Sequence, residues 1–226
     1  ARERHMAVLY HAPLSPFCRK VRLTLSEKRI DTDLQEERYW EQSADFLRRN
    51  PLGRVPVLRI DGLTMSESQP ICEYLDEVYP NPPLMPTDPR ARYEVRRVCA
   101  WFDVAFHDEV TVKILGERVT KKLTKAGYPD SKRVKEGVTR IKYHLDLMTE
   151  MLDRRRWLAG DVMTLADFAA AAQLSTLDYT SDVDWNRSAP VKEWYAKIKS
   201  RPAFRGLLAD QVSGFPQPLH YSDLDF

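Results

Sequence analysis

The residues best placed to do chemistry fall in three short stretches of the N-terminal third. In Leu14-Ser15-Pro16-Phe17-Cys18 a serine and a cysteine lie three apart. Ser15 before Pro16 reads as a helix start, with a side-chain oxygen for the first free N–H groups and proline at the first helical position. In Asn50-Pro51-Leu52-Gly53-Arg54-Val55-Pro56-Val57-Leu58 the second proline stands at the head of a strand, where a residue without an N–H is usually excluded. A cis Val55–Pro56 bond fits that position. It would turn the Val55 N–H and C=O outward, free to pair with a bound peptide as an added strand does. A plain edge-strand proline with no ligand fits the same residues. In Ser66-Glu67-Ser68-Gln69-Pro70-Ile71, Ser68 reads as a helix cap.

Other reactive residue types carry less. Cys18, Cys72 and Cys99 are odd in number, far apart and without a CxxC, which excludes a disulfide scaffold and fits a reducing cytoplasm. Cys72 and Cys99 sit in amphipathic patterns and read as core, Cys18 as a semi-buried helical thiol. The histidines are scattered without ligand spacing, so no metal site is expected.

The elements that must hold these residues divide at a proline-rich segment, 81–89. Upstream, Ala7–Tyr10 reads as a buried strand, followed by the helix from Ser15-Pro16, a weaker strand near Thr32–Glu36 and a short helix near Ser43–Arg49. Val55–Ile60 and Gly62–Met65 form a hairpin around Asp61-Gly62, and a helix from about Ser68 to Val78 closes the unit. Downstream there is no strand signal. Val134, Val138, Ile141, Leu145, Met148 and Leu152 recur in steps of four and three, an amphipathic stripe. Thr164-Leu165-Ala166-Asp167 opens an apolar helix like a capping box, with Asp in place of Glu. Val191, Trp194, Tyr195 and Ile198 mark another helix, and Phe204, Leu207 and Leu208 a short last one. The reading is α+β: an α/β domain at 6–80, a linker at 81–89, an all-α domain at 90–210 and a tail at 211–226.

The combination N-P-x-G-x-V-P over Asn50–Pro56, then E-S-x-x-I-x-x-Y-L over Glu67–Leu75, resembles the glutathione transferase superfamily. Trp157-Leu158-Ala159-Gly160-Asp161 with Thr164–Asp167 is similar to that family's C-terminal helical motif. The resemblance runs from Met6 to about Leu208. It implies a thioredoxin-like N-terminal domain, a helical C-terminal domain and a homodimer. It also implies that the Val55 backbone, ahead of Pro56, meets the cysteinyl part of glutathione. Glu67 and Ser68 would hold the γ-glutamyl end at a helix N-terminus. Ser15 falls where serine-type members place the hydroxyl that meets the sulfur, a donor that would stabilise a thiolate. Simple capping by Ser15 is the competing reading. Cys18 takes the second position of a thioredoxin CxxC whose first is Ser15, so dithiol exchange is unavailable.

Two features lie outside glutathione chemistry. Between Lys113 and Lys142 ten Lys and Arg residues face only Glu117, Asp130 and Glu136. The stretch is either a solvated helical face or a docking surface for an acidic partner. Its candidate contacts are Arg118, Lys121, Lys122 and Lys125. The tail ends in His220-Tyr221-Ser222-Asp223-Leu224-Asp225-Phe226, aromatics alternating with acids. It either packs back onto the protein or serves as a recognition peptide, with His220, Tyr221, Asp223, Leu224, Asp225 and Phe226 as candidates. Trp40 is a further candidate anchor.

Leu14–Arg22, Arg154–Leu158 and the ending His220–Phe226 are similar to one bacterial branch of the superfamily that works in cell division. That resemblance implies FtsZ, the tubulin-like polymer protein, as partner, a role in organising or curving its filaments, a place at the division site and no required cofactor. The competing expectation is an enzyme that conjugates glutathione to small electrophiles, with Ser15 as catalytic residue.

Composition sets the outer limits. The 226 residues are 43% hydrophobic and 30% charged, and 35 Lys and Arg against 33 Asp and Glu give a net charge of +2. That supports a sizeable core and argues against disorder and non-specific nucleic-acid binding. No apolar run reaches the length of a membrane span, so no membrane insertion is expected. Residues 1–5 read as additions ahead of a native Met6, not as a signal peptide.

Overall fold

The computed structural model describes residues 6–226, so the reading of residues 1–5 lies outside the described residues. The N-terminal half runs β1 (Ala7–His11), α1 (Pro16–Glu27), β2 (Thr32–Glu36), α2 (Ala44–Arg49), β3 (Val57–Ile60), β4 (Leu63–Ser66) and α3 (Ser68–Val78). The strands form one sheet in the order β2-β1-β3-β4. β1 runs parallel to β2, and β3 is antiparallel to both β1 and β4. The alternation of strand side chains sorts them by face. Ala7, Leu9, Leu58 and Ile60 join the main core, while Tyr10, Val57 and half-buried Val8 pack with Phe46 of α2.

The C-terminal half opens with a continuous helical run over 89–124. It comprises α4 (Pro89–Ala100), a π-helical segment (Trp101–Thr111), α5 (Val112–Leu115), a second π-helical segment (Gly116–Thr120) and α6 (Lys121–Thr124). Then come α7 (Ser131–Arg154), α8 (Leu165–Tyr179), α9 (Ala189–Lys199), α10 (Arg205–Leu208) and α11 (Leu219–Ser222). Every residue of α8 is buried, and its start carries the capping box expected for Thr164 and Asp167. Asp167 also accepts hydrogen bonds from Leu158 N at 3.0 Å and Trp194 Nε1 at 2.8 Å.

One hydrophobic cluster spans both halves, from Ala7 and Leu9 of the sheet to Phe168 of α8 and Leu207 of α10. The proline-rich segment takes part: Leu84 is buried and Lys28 Nζ donates to the Pro82 carbonyl and to Asp76 at 2.7 Å. α1 lies between the halves, and its buried face is unusually polar. Arg19 donates to the Pro13 carbonyl at 2.8 Å, to Ser175 Oγ at 2.9 Å and to Asp210 at 3.0 Å. Arg22 pairs with the same Asp210 at 2.7 Å, and Lys20 with Asp103 at 2.6 Å. Buried charges persist only when paired and hydrogen-bonded, so these contacts lock the two halves in one arrangement.

Several expected element boundaries move. The third strand begins at Val57 rather than Val55, and the fourth covers Leu63–Ser66 rather than Gly62–Met65. Pro56 has no N–H for the ladder, which leaves Val55 outside it. Glu67, not Ser68, holds the cap position of α3, at φ 73°, and Ser68 is the first helical residue. The helix near Phe204 is not the last, since α11 follows inside the tail.

Candidate functional site

A cleft of about 570 Å³ opens where the two halves meet. The β1–α1 loop supplies Ser15, the first turn of α1 supplies Phe17, the turn at Tyr39–Glu41 supplies Trp40, and the loop before β3 supplies Val55. His107, Thr111 and Val119 of the helical run face them, and Val212 and Ser213 of the tail complete the wall. Both π-helical segments lie on this wall. The wider π turn places side chains out of α-helical phase, a feature frequent at functional sites.

Ser15 does cap α1: Cys18 N donates to its Oγ at 3.3 Å. The bond uses an oxygen lone pair and leaves the hydroxyl hydrogen for a ligand, so capping and ligand contact are compatible. Cys18 is fully buried rather than semi-buried. Burial pushes its thiol up to about 11, with the Ser15 bond opposing only in part. A thiolate is therefore disfavoured at Cys18. Cys72 and Cys99 are buried in the core, with their thiols pushed up to about 11 and about 12 by burial.

The Val55–Pro56 bond is cis. Among the described residues the Val55 N–H and C=O make no hydrogen bond, and Val55 lines the cleft. Pro56 is buried behind it. Glu67 and Ser68 stand beyond the cleft wall: exposed Glu67 is ion-paired with Arg54, which lines the rim, and Ser68 is buried at the start of α3. The structure thus joins Ser15 and Val55 in one cavity, links Glu67 to its rim through Arg54, and leaves Ser68 outside its lining.

Two histidines that no spacing rule singles out share the cleft. His11 is 4% exposed, its Nδ1 has no partner among the described residues, and burial, reinforced by Arg22, pushes it down to about 4. His107 packs against Phe17 with ring centroids 4.6 Å apart. Its Nδ1 lies 3.3 Å from Gln173 Nε2, and burial lowers its pKa. Thr111 Oγ1 donates to Gln173 Oε1 at 2.6 Å. The sequence carries no signal for these residues, which come from distant segments. Trp40 sits at the rim, edge-on to Tyr39 at 5.2 Å and beneath Arg38 at 5.7 Å.

The basic stretch is largely answered from within. Arg118 pairs with Asp182 at 2.9 Å and Lys121 with Glu117 at 2.5 Å. Lys122 donates to the Gly214 carbonyl at 3.3 Å and covers the Phe215 ring at 4.8 Å. Lys125 is exposed and ends α6 in a left-handed conformation, φ 56°. The tail packs onto its own chain. Tyr221 is fully buried, donates to the Leu207 carbonyl at 2.6 Å and lies edge-on to Tyr179 at 5.0 Å. His220 Nε2 lies 3.2 Å from the Asp178 carboxylate. Phe226 packs against Trp185 at 5.1 Å, with Lys199 4.0 Å from its ring. Asp223, Leu224 and Asp225 stay exposed.

Among the described residues no cluster of His, Cys, Asp or Glu is arranged to hold a metal ion, and no helix is long and apolar enough to cross a membrane.

The chain matches two family models: glutathione S-transferase, N-terminal domain, over residues 9–83, and glutathione S-transferase, C-terminal domain, over residues 120–211. It is 43% identical to FtsZ-localized protein A of Caulobacter vibrioides over 222 residues, 96% of this chain and 97% of that protein. Among solved structures, FzlA from C. crescentus superimposes with a TM-score of 0.94 at 43% identity, over 98% of this chain and 100% of that one. A glutathione S-transferase from Rhodospirillum rubrum F11 superimposes with a TM-score of 0.95 at 48% identity, over the same shares.

Proposed function

Because this chain belongs to the glutathione S-transferase family, we propose that it uses that fold as a cell-division adaptor, binding FtsZ polymers and organising or curving them at the division site. The observation that carries the reading is the 43% identity to FtsZ-localized protein A along nearly the whole of both chains. A homodimer would present two copies of one binding surface, and avidity would strengthen individually weak contacts. The location would be cytoplasmic, where FtsZ polymers assemble.

A second reading is favoured by a specific observation: the Ser15 hydroxyl and the unpaired Val55 backbone face one cleft. They suit glutathione conjugation, with Ser15 donating to the thiolate and Val55 pairing with the cysteinyl backbone. Glutathione would bring the sulfur nucleophile; the chain would orient it and lower its pKa. Glu67, ion-paired with Arg54 at the rim, would meet the γ-glutamyl end.

Co-sedimentation with FtsZ polymers, paired with calorimetric titration by glutathione, tests both. Pelleting without a heat of glutathione binding is expected for the adaptor. A clear heat of binding with no pelleting would replace that reading by the enzyme.

A further inference from the structure

A second concavity, of about 660 Å³, lies between the helical run and α7, away from the cleft. The two helices approach closely at Gly137. A Cβ there would meet Ile114 Cγ1 at 2.7 Å and the Val110 carbonyl at 3.1 Å. That contact forms the floor, and longer side chains rise on both sides.

The groove's own acids are neutralised from within. Glu109 accepts from Arg140 Nε at 2.8 Å and lies 2.6 Å from His144 Nε2, while Glu136 lies 3.4 Å from Lys113 Nζ. Lys132 and Lys135 remain. Both line the groove, both are exposed, and neither has an ion-pair partner among the described residues. Three residues apart on α7, they stand on the same helix face one turn from each other. Tyr143 lies farther along, half exposed, its ring covered on one side by Arg140 at 4.1 Å. The groove therefore offers two unanswered cations next to a partly exposed aromatic. This differs from the stretch around Arg118, Lys121 and Lys122, where the charges are answered internally.

We propose that this groove is a docking surface for an acidic peptide segment of a protein partner, with its carboxylates on Lys132 and Lys135 and an apolar side chain against Tyr143. For the identity of that partner the proposal rests on the adaptor reading. Charge complementarity selects the occupant. A net charge of +2 gives the chain no extended field for a nucleic acid, whereas two carboxylates of an acidic peptide match the two free lysines beside Tyr143. The contacts are solvent-exposed, so binding should weaken as salt rises.

The test uses the full-length protein and two probes. One is a fluorescein-labelled oligoglutamate peptide followed by anisotropy, the other FtsZ polymers in co-sedimentation. The expected result is salt-sensitive peptide binding that falls about tenfold in Lys132→Glu/Lys135→Glu. It should be retained in Lys192→Glu/Lys197→Glu, and FtsZ pelleting should fall in parallel. No peptide binding by the wild type, or equal binding by the groove variant, would overturn the proposal whatever FtsZ does. Loss of peptide binding with unchanged FtsZ pelleting would remove the groove as the partner's site while leaving the adaptor reading standing. Wild-type protein that binds peptide but never pellets with FtsZ would sink the adaptor reading, and with it the partner named here. Sedimentation velocity adds a last arm. A groove variant that changes oligomeric state would show a face between copies of this chain, which also overturns the proposal.

Discussion

The Tyr179 hydroxyl brackets the start of the tail: it donates to the Phe215 carbonyl at 2.6 Å and accepts from Val212 N at 3.1 Å. Tyr179 ends α8, the most buried helix, while Val212 lines the cleft. One phenol thus ties the core, the tail and a cleft wall together. Tyr179→Phe should keep the packing and lose both bonds, leaving two partners unsatisfied at a cost of about 1–3 kcal/mol. Hydrogen exchange should rise at Val212 and its neighbours while α8 stays protected. Unchanged exchange in the tail would show that packing alone docks it.

His11 predicts a pH dependence of stability. Its folded pKa, about 4, lies below its ordinary 6.5 because burial disfavours the charged ring. Folding is therefore favoured most above 6.5, where both states are neutral, and that contribution is lost as pH falls from 6.5 toward 4 and the unfolded chain takes up the proton. The effect should reach about 2–3 kcal/mol. His107 and His144, also lowered by burial, act in the same direction. Denaturant midpoints across this range should fall less steeply for His11→Asn than for the wild type.

Gly137 permits the close crossing of α7 and the helical run. Ala normally stabilises a helix over Gly by about 1 kcal/mol. Here the added methyl would press on a backbone carbonyl 3.1 Å away and on Ile114. Overpacking of this kind costs about 1–3 kcal/mol, so Gly137→Ala should lower the thermal midpoint. A rise would mean that the helices can separate without loss.

Ser15→Ala separates the two functional readings. Loss of the cap should cost about 1 kcal/mol of stability. Under the adaptor reading FtsZ pelleting stays unchanged, and under the enzyme reading conjugation of a chromogenic electrophile falls sharply. Measuring both on one preparation shows which role the hydroxyl plays.

Much of the architecture was legible in local patterns. The α7 stripe, the Thr164–Asp167 box and the Ser15 cap each depend on residues within a few positions of one another, where spacing dictates geometry. At Val55–Pro56 local pattern admitted both a cis bond and a plain edge-strand proline, and the backbone shows the cis form. The boundary at Ser68 was not: a serine next to a glutamate looks like a cap in sequence, and only the left-handed backbone of Glu67 assigns that role to the other residue.

By itself the sequence determined the two structural classes along the chain, the family and the presence of Ser15 and Val55 as candidate ligand contacts, because short-range periodicity and contiguous motifs carry those properties. Tertiary structure alone decided which charges are free. The basic stretch looks uniform in sequence, yet Arg118 finds Asp182, Lys121 finds Glu117 and Lys122 finds Gly214, while Lys132 and Lys135 find no partner among the described residues. It also brought His11, His107 and Val212 to one cleft and seated Tyr221 beneath Arg19. Burying a charge or a polar side chain is tolerated only where partners arrive from elsewhere in the chain. No local pattern records which distant residues those will be.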